Sequence, residues 1–424
     1  MKTYVLLLLI CPLLMLLSFN NKGQPLEENA SSQTSISAQD ESAREVPLIL
    51  KEQKSLEFYI EQAEAWWKIL EVNKKNENAW FNYYKANRWA QMQYGRTNSP
   101  QLDWRANTEW LTQSKYLKSG DDIVLHVEQE LPKSFMSYYL RVWNTKNIGK
   151  EKIPLLEKAH AINPNFYEIY DDFVMHYEID NKREKRKEFN VRWFKSNDFS
   201  ETFLNFYYNV LLTLKENAIL LTYGDNPLLA SWMLQDALHF RQDVTLVNIA
   251  LMVNEVAYRN SIFKQLGIPP LNKVYETGNS LSNLQEIVAH VVDNMPDNLP
   301  IYFGLELDQQ IKDTHEDKLY LVGLALEYSE SNIDNLAALK RNFEHKYLLD
   351  YLTVQFTDDS YPIASVTNWS YLQGISHLYE HYKVTGDLNN AKRMKELALT
   401  IAHSVEGESY QQYRQNVINY FQNN

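Results

Sequence analysis

An apolar run that breaks at a glycine, resumes as a helix and returns to a second apolar run leaves few folds open. Residues 218–251 read AILLTYGDNPLLASWMLQDALHFRQDVTLVNIAL. The two flanking runs, AILLTY at 218–223 and VTLVNIAL at 244–251, have strand length and β-branched or leucine-rich composition. PIYFGLEL at 300–307 is a third such run, and SNLQEIVAHVVDNMP at 282–296 is a helix leading into it. Strands that alternate with helices predict parallel pairing with helices over the faces. Between the first two strands, PLLASWMLQDALHF predicts a helix with Pro227 at its first position, where a missing N–H is harmless, and with Asp225 or Asn226 as cap.

On both sides of this segment the pattern changes to a helical period. SLEFYIEQAEAWWKILEV places Phe58, Ile60, Ala63, Trp66, Trp67 and Leu70 at helical spacing, and WFNYYKANRWAQ follows after a polar break. LLEKAHAINPNFYEIY resembles the junction between tetratricopeptide repeats, with Asn163-Pro164-Asn165 as the turn. YLQGISHLYEHYKVTGDLNNAKRMKELALTIAHS resembles the inside of such a repeat, turning at Gly386-Asp387 with Ala391 and Ala398 as small packing residues. The expected fold is therefore mostly α with a central α/β module, tetratricopeptide-like helical hairpins flanking a small parallel sheet. The expected parts are a signal peptide or anchor at 1–22, a flexible linker at 23–48, a helical domain at 49–215, the α/β module at 216–328 and helical repeats at 329–424.

Length and composition fit this plan: 424 residues with 45% hydrophobic and 23% charged content are ordinary for globular domains with real cores. A net charge of -12 argues against nucleic acid or an anionic lipid surface as a partner, since both call for a basic face. The one basic run, NKREKRKEF at 181–189, carries Glu184 and Glu188 and reads as a solvated helix face. The apolar stretch from Val5 to Leu17 after Lys2 has the length of a signal-peptide core, so export to a periplasm or cell envelope is expected, with membrane attachment only through an uncleaved N-terminal anchor. Cys11 is the sole cysteine and lies inside that segment, so a mature chain would have no disulfide, thiolate metal site or cysteine nucleophile.

The central segment also resembles a family. TYGDNPLLASWMLQDALHFRQDVTLVNIALM is similar to the soluble C-terminal region of a bacterial family of multi-spanning proteins related to protein O-mannosyltransferases. The matching positions are Gly224, Asp225, Asn226, Trp232, Gln235, Arg241, Asp243, Val244, Asn248 and Leu251. LYLVGLALEYS at 319–329 resembles a later segment of the same region, so the likeness runs from about residue 216 onward. Pro227 stands where that family usually has another Asp, and Val322 where an acidic residue is common. The membrane spans that house transferase chemistry have no counterpart here. The resemblance implies a shared extracytoplasmic module, not sugar transfer.

Ligands of open parallel sheets bind beyond the C-terminal strand ends. That rule gathers Tyr223, Asp225, Asn226, Asn248, Glu306 and Asp308 with the Gly224 turn at one edge, an acidic and amide-rich set suited to a sugar, an amine or a hard cation. The competing reading is purely structural, with Asp225 and Asn226 capping a helix and Asn248 tying a loop. HLYEH at 377–381 matches the inverted zinc-peptidase form, with His377 and His381 as ligands, Glu380 as base and a third ligand from Glu396, Glu406 or Glu408. The helix containing it is equally explained as half of a repeat. Dense aromatics, as in AWWKIL and WFNYYKANRW, could stack sugars but more simply pack helices together. There is no Gly-rich phosphate loop, no Gly-x-Ser-x-Gly elbow and no Cys/His cluster, so no cofactor is expected. The leading expectation is an exported binding or scaffold protein with a protein or glycan partner. The alternatives are a glycan-handling enzyme or accessory factor using the cluster around Asp225, and a zinc hydrolase at His377.

Overall fold

The computed structural model describes residues 42–48, 52–98, 109–145, 152–275, 278–296, 298–354, 364–405 and 410–423. The signal-peptide segment with Cys11, and most of the expected linker, lie outside these residues. Packing divides the chain into two compact units, one running to Ile169 and the other beginning at Tyr170.

The first unit is helical: α1 (Leu56–Val72), α2 (Glu77–Asn98), α3 (Gly120–Glu130), α4 (Phe135–Asn144) and α5 (Lys152–Ile162). Its helix starts are written locally, since Ser55, Ser119 and Ser134 each accept a backbone N–H three residues on. Between α1 and α2, Asn76 accepts from Ala79 N–H and the Trp80 indole donates to the Lys74 carbonyl, which fixes the tight turn. Most of the aromatics face inward. Trp66, Trp80, Phe81, Tyr83, Tyr84 and Tyr139 are buried, and Phe81 meets Tyr139 and Phe166 edge-on. Burial of this kind is what packed helix faces do with rings. Residues at the end of the expected linker pack here as well: Val46 is buried and its N–H donates to Asn82.

The second unit opens with α6 (Tyr170–Ile179), α7 (Arg183–Ser196) and α8 (Glu201–Thr213), then enters the sheet. There β1 (Ile219–Thr222), α9 (Asp225–Leu238), β2 (Thr245–Asn248), α10 (Ile249–Asn254), α11 (Val256–Leu266), α12 (Leu281–Asn294), β3 (Ile301–Gly304) and α13 (Gln309–Asp313) follow one another. The hairpin of β4 (Leu319–Leu321) and β5 (Ala325–Tyr328) comes next, and α14 (Asn335–Arg341), α15 (Tyr371–Thr385), α16 (Leu388–Ser404) and α17 (Gln411–Asn423) complete the unit. The strand order is β2-β1-β3-β5-β4. β1 pairs parallel with β2 and β3, whereas β3, β5 and β4 pair antiparallel. Every residue of β1 and β3 is buried, which accounts for their unbroken apolar sequence.

The sheet is thus mixed rather than parallel. The three-residue β4 and four-residue β5 turn at Gly323, whose φ of 155° and crowding by Tyr347 and Asn342 leave no room for a Cβ. The run expected as a strand through Leu251 also ends early, at Asn248. That side chain accepts from Leu251 N–H at 3.0 Å and turns the remaining apolar residues into α10. The basic run is only partly a solvated face, because Arg186 is buried and bonds Asp236 through two nitrogens at 2.9 Å and Glu178 at 2.5 Å. Asn190 adds a fourth group to this cluster, and the Arg186 guanidinium lies 5.1 Å from the centre of the buried Trp232 ring. Among the described residues no helix is long and apolar enough to cross a membrane.

Candidate functional site

Topology selects one place on the sheet. After β1 the chain crosses to β2 on one side, and after β3 it runs to the β4–β5 hairpin on the other. Loops leaving adjacent parallel strands in opposite directions are where such sheets place a binding crevice, and that rule selects the carboxyl ends of β1 and β3 as the candidate crevice. Tyr223, Gly224 and Asp225 follow β1 there, and Leu305 and Glu306 follow β3.

Gly224 holds φ 89° and ψ 175°, a conformation open only to glycine, and it is the cap residue of α9. No side chain caps this helix. The expected arrangement, with Pro227 first and Asp225 or Asn226 as cap, is therefore corrected: the helix begins at Asp225 and Pro227 stands third, still among the positions whose N–H has no partner within the helix. The reason is that the cap position falls on Gly224, which has no side chain to accept an N–H. Asp225 is left without a side-chain partner among the described residues. It reaches solvent, yet the surrounding protein strips enough water from its carboxyl to raise it above its usual range. Tyr223 and Asn226 are half-buried and likewise make no side-chain hydrogen bond among the described residues.

Glu306 brings the second carboxyl, with one oxygen left over. Its Oε1 is buried without a hydrogen-bond partner. Burial pushes this group up to about 7, opposed by the backbone N–H groups of Glu306 itself and Tyr223 and by the charge of Lys312. A Cβ at Gly304 would overlap this carboxyl group, so the glycine at the end of β3 is what lets Glu306 fold back over the strand end. Asn248 and Asp308, expected in the same set, have structural duties instead. Asn248 caps α10 and donates to the Gly224 carbonyl at 2.8 Å, and Asp308 caps α13 by accepting from Gln310 N–H at 2.7 Å. The seven expected positions therefore divide into Asn248 and Asp308, which are committed to caps, Gly224, which shapes the turn, Tyr223, Asp225 and Asn226, whose side chains make no hydrogen bond among the described residues, and Glu306, whose Oε1 alone lacks a donor there.

The remaining positions of the central motif are structural. Gln235 donates to the carbonyls of Arg241 and Val244 and so holds the α9–β2 loop. Arg241 donates to the carbonyls of Leu211, Leu214 and Lys215, closing the C-terminus of α8, while Asp243 grips the guanidinium with both oxygens. Asp243 also accepts from Asn217 N–H, and its carboxyl is held low, first by the hydrogen bond from Arg241. Residues 204–264 match the TMEM260-associated domain 2 family. The matched region begins within α8 and ends within α11, so it contains Asp225 and its scaffold but not Glu306. No curated protein and no solved structure matches the chain.

Two contributors to the crevice were not singled out from the sequence. Gly304 gave no signal beyond being a glycine at a strand end. Lys312 is a buried cation on α13 whose ammonium donates to the Leu305 carbonyl at 3.0 Å. His377 and His381 lie on α15, far along the chain from these residues. His377 is exposed and its Nδ1 contacts the Gln373 carbonyl of its own helix, and Glu380 accepts from the Tyr420 hydroxyl. Among the described residues no group of three or more His, Cys, Asp or Glu is arranged to hold a metal ion, and Glu406 and Glu408 lie outside them. What the crevice offers is a half-buried ring, two carboxyls, an amide and the uncapped N–H groups opening α9, which together can both donate to and accept from a polar ligand.

Proposed function

We propose that this chain is a binding and scaffold protein whose α/β unit holds a neutral, hydroxyl-rich ligand of the glycan class in the crevice between β1 and β3. The observation that carries this reading is the pattern of commitment within the motif. Trp232, Gln235, Arg241, Asp243 and Asn248 all have protein partners, while the solvent-exposed Asp225 in their midst has none among the described residues. Adjacent hydroxyls both donate and accept, so a polyol answers the carboxyls of Asp225 and Glu306 and the donors of Asn226 and α9 together. An anion meets two carboxyls, and a free amine meets the positive end of α9. The match to the TMEM260-associated domain, and the resemblance to the soluble part of O-mannosyltransferase relatives, favour a role in handling glycans as an accessory factor. The helical hairpins, tetratricopeptide-like in sequence, would present the module to a protein partner in a periplasm or at a cell envelope. Screening the protein against an immobilised oligosaccharide array tests the reading. Wild type is expected to retain a subset of glycans that a folded Asp225→Ala variant releases, and identical profiles would overturn it.

A further inference from the structure

Beside the end of β3 lies a buried acceptor oxygen that no donor among the described residues reaches. The backbone N–H groups of Glu306 and Tyr223 reach this carboxyl, yet its Oε1 has lost its water and gained no donor among the described residues, a costly state for an ionised oxygen. The charged group it feels is Lys312 on α13, whose ammonium is directed to the Leu305 carbonyl, and Asp225 at the start of α9 is the other carboxyl of the crevice. Gly304 makes the placement specific, because any side chain there would expel the carboxyl group. A buried oxygen of this kind can be relieved by a proton or by a donor arriving with the ligand.

We infer that Glu306 is the specificity-determining residue of the crevice, accepting a hydrogen bond from one ligand hydroxyl at Oε1 and giving up its own proton to solvent as it does so. The inference rests on the reading of the crevice as a site for a hydroxyl-rich ligand. A hydroxyl donating to an ionised carboxylate makes a charge-assisted bond, about twice as strong as a neutral one, so occupancy favours the ionised form. Burial pushes this carboxyl up to about 7, so affinity should rise with pH across neutrality and level off once the group is ionised before the ligand arrives. The proton leaves Glu306 for buffer, and no bond in the ligand is made or broken. A ligand lacking the contacted hydroxyl leaves Oε1 stranded again, which is how a buried polar group rejects a deoxy analogue.

Isothermal titration of the full chain with methyl hexopyranosides and their monodeoxy analogues, in two buffers of different ionisation enthalpy, tests this. Expected is binding about tenfold tighter at pH 8 than at pH 6, with net proton release near neutrality and one deoxy position losing about tenfold or more. Glu306→Gln should abolish the pH slope and the proton release, whereas Asp308→Asn, which alters only a helix cap, should keep both. Binding that persists with the same slope in Glu306→Gln, or that tightens as pH falls, overturns the inference and leaves the crevice reading standing. Failure of wild type to bind any hexopyranoside overturns the ligand class itself.

Discussion

At the scale of single residues, motif membership and ligand contact separate. Asn248 and Asp225 were expected to share a role, yet Asn248 is committed to Gly224 and Leu251 while the Asp225 side chain has no partner among the described residues. The sequence could not divide them, because a capping Asn and a ligand-binding Asp have the same short polar side chains and the same place beside a turn. Gly304 was equally silent, since its role depends on a carboxyl group two residues later folding back over it. Glu306 makes a stability prediction with a definite sign. Its folded value is raised from 4.5 to about 7, so the folded protein keeps a proton that the unfolded chain releases. Ionising this group therefore destabilises the fold progressively between those two values, by roughly 3 kcal/mol at most, and the loss is complete above the folded one. Denaturant unfolding at pH 5 and pH 8 should show wild type losing more stability on the alkaline side than Glu306→Gln. Equal losses in the two proteins would remove the buried carboxyl from the account.

Among the elements, β1, β3 and α9 were legible because strands buried on both faces must be apolar throughout, and because α9 follows β1 after a glycine that only a turn requires. β4 and β5 were not, being too short to show an alternation that distinguishes a strand from any apolar loop. The start of α9 was misplaced because a Gly-Asp-Asn-Pro string fits a side-chain cap as well as a backbone one. The burial of Arg186 was invisible for another reason: its partner Asp236 lies in α9, and a lysine- and arginine-rich run on its own reads as surface. This cluster joins α6, α7 and α9, and Arg186 serves two carboxylates at once. Replacing it leaves Glu178 and Asp236 buried without a counter-charge, so Arg186→Met should lower stability by about 3–5 kcal/mol. Arg186→Met combined with Glu178→Gln and Asp236→Asn should recover much of the loss. A thermal melt in which the single variant matches wild type would contradict this view of how α9 is held.

For the whole molecule, the mostly helical plan with a small sheet was readable from period alone, whereas the mixed topology needed the pairing of β3 with β5. That pairing also sends the chain away from β3 on the side opposite β2, so the place of the candidate crevice follows from topology and its polar groups follow from sequence. The two coincide at Tyr223, Asp225, Asn226 and Glu306, which is where a ligand is expected to sit. The aromatic-rich helices offer the competing location, but most of their rings are consumed in packing. A crystal of the full chain soaked with the glycan that survives array screening tests the claim most directly. Ligand density is expected between β1 and β3, with hydroxyl oxygens within hydrogen-bond distance of Asp225 and of Glu306 Oε1. Density seated instead on the aromatic faces of the helical unit, with the crevice empty, would contradict it.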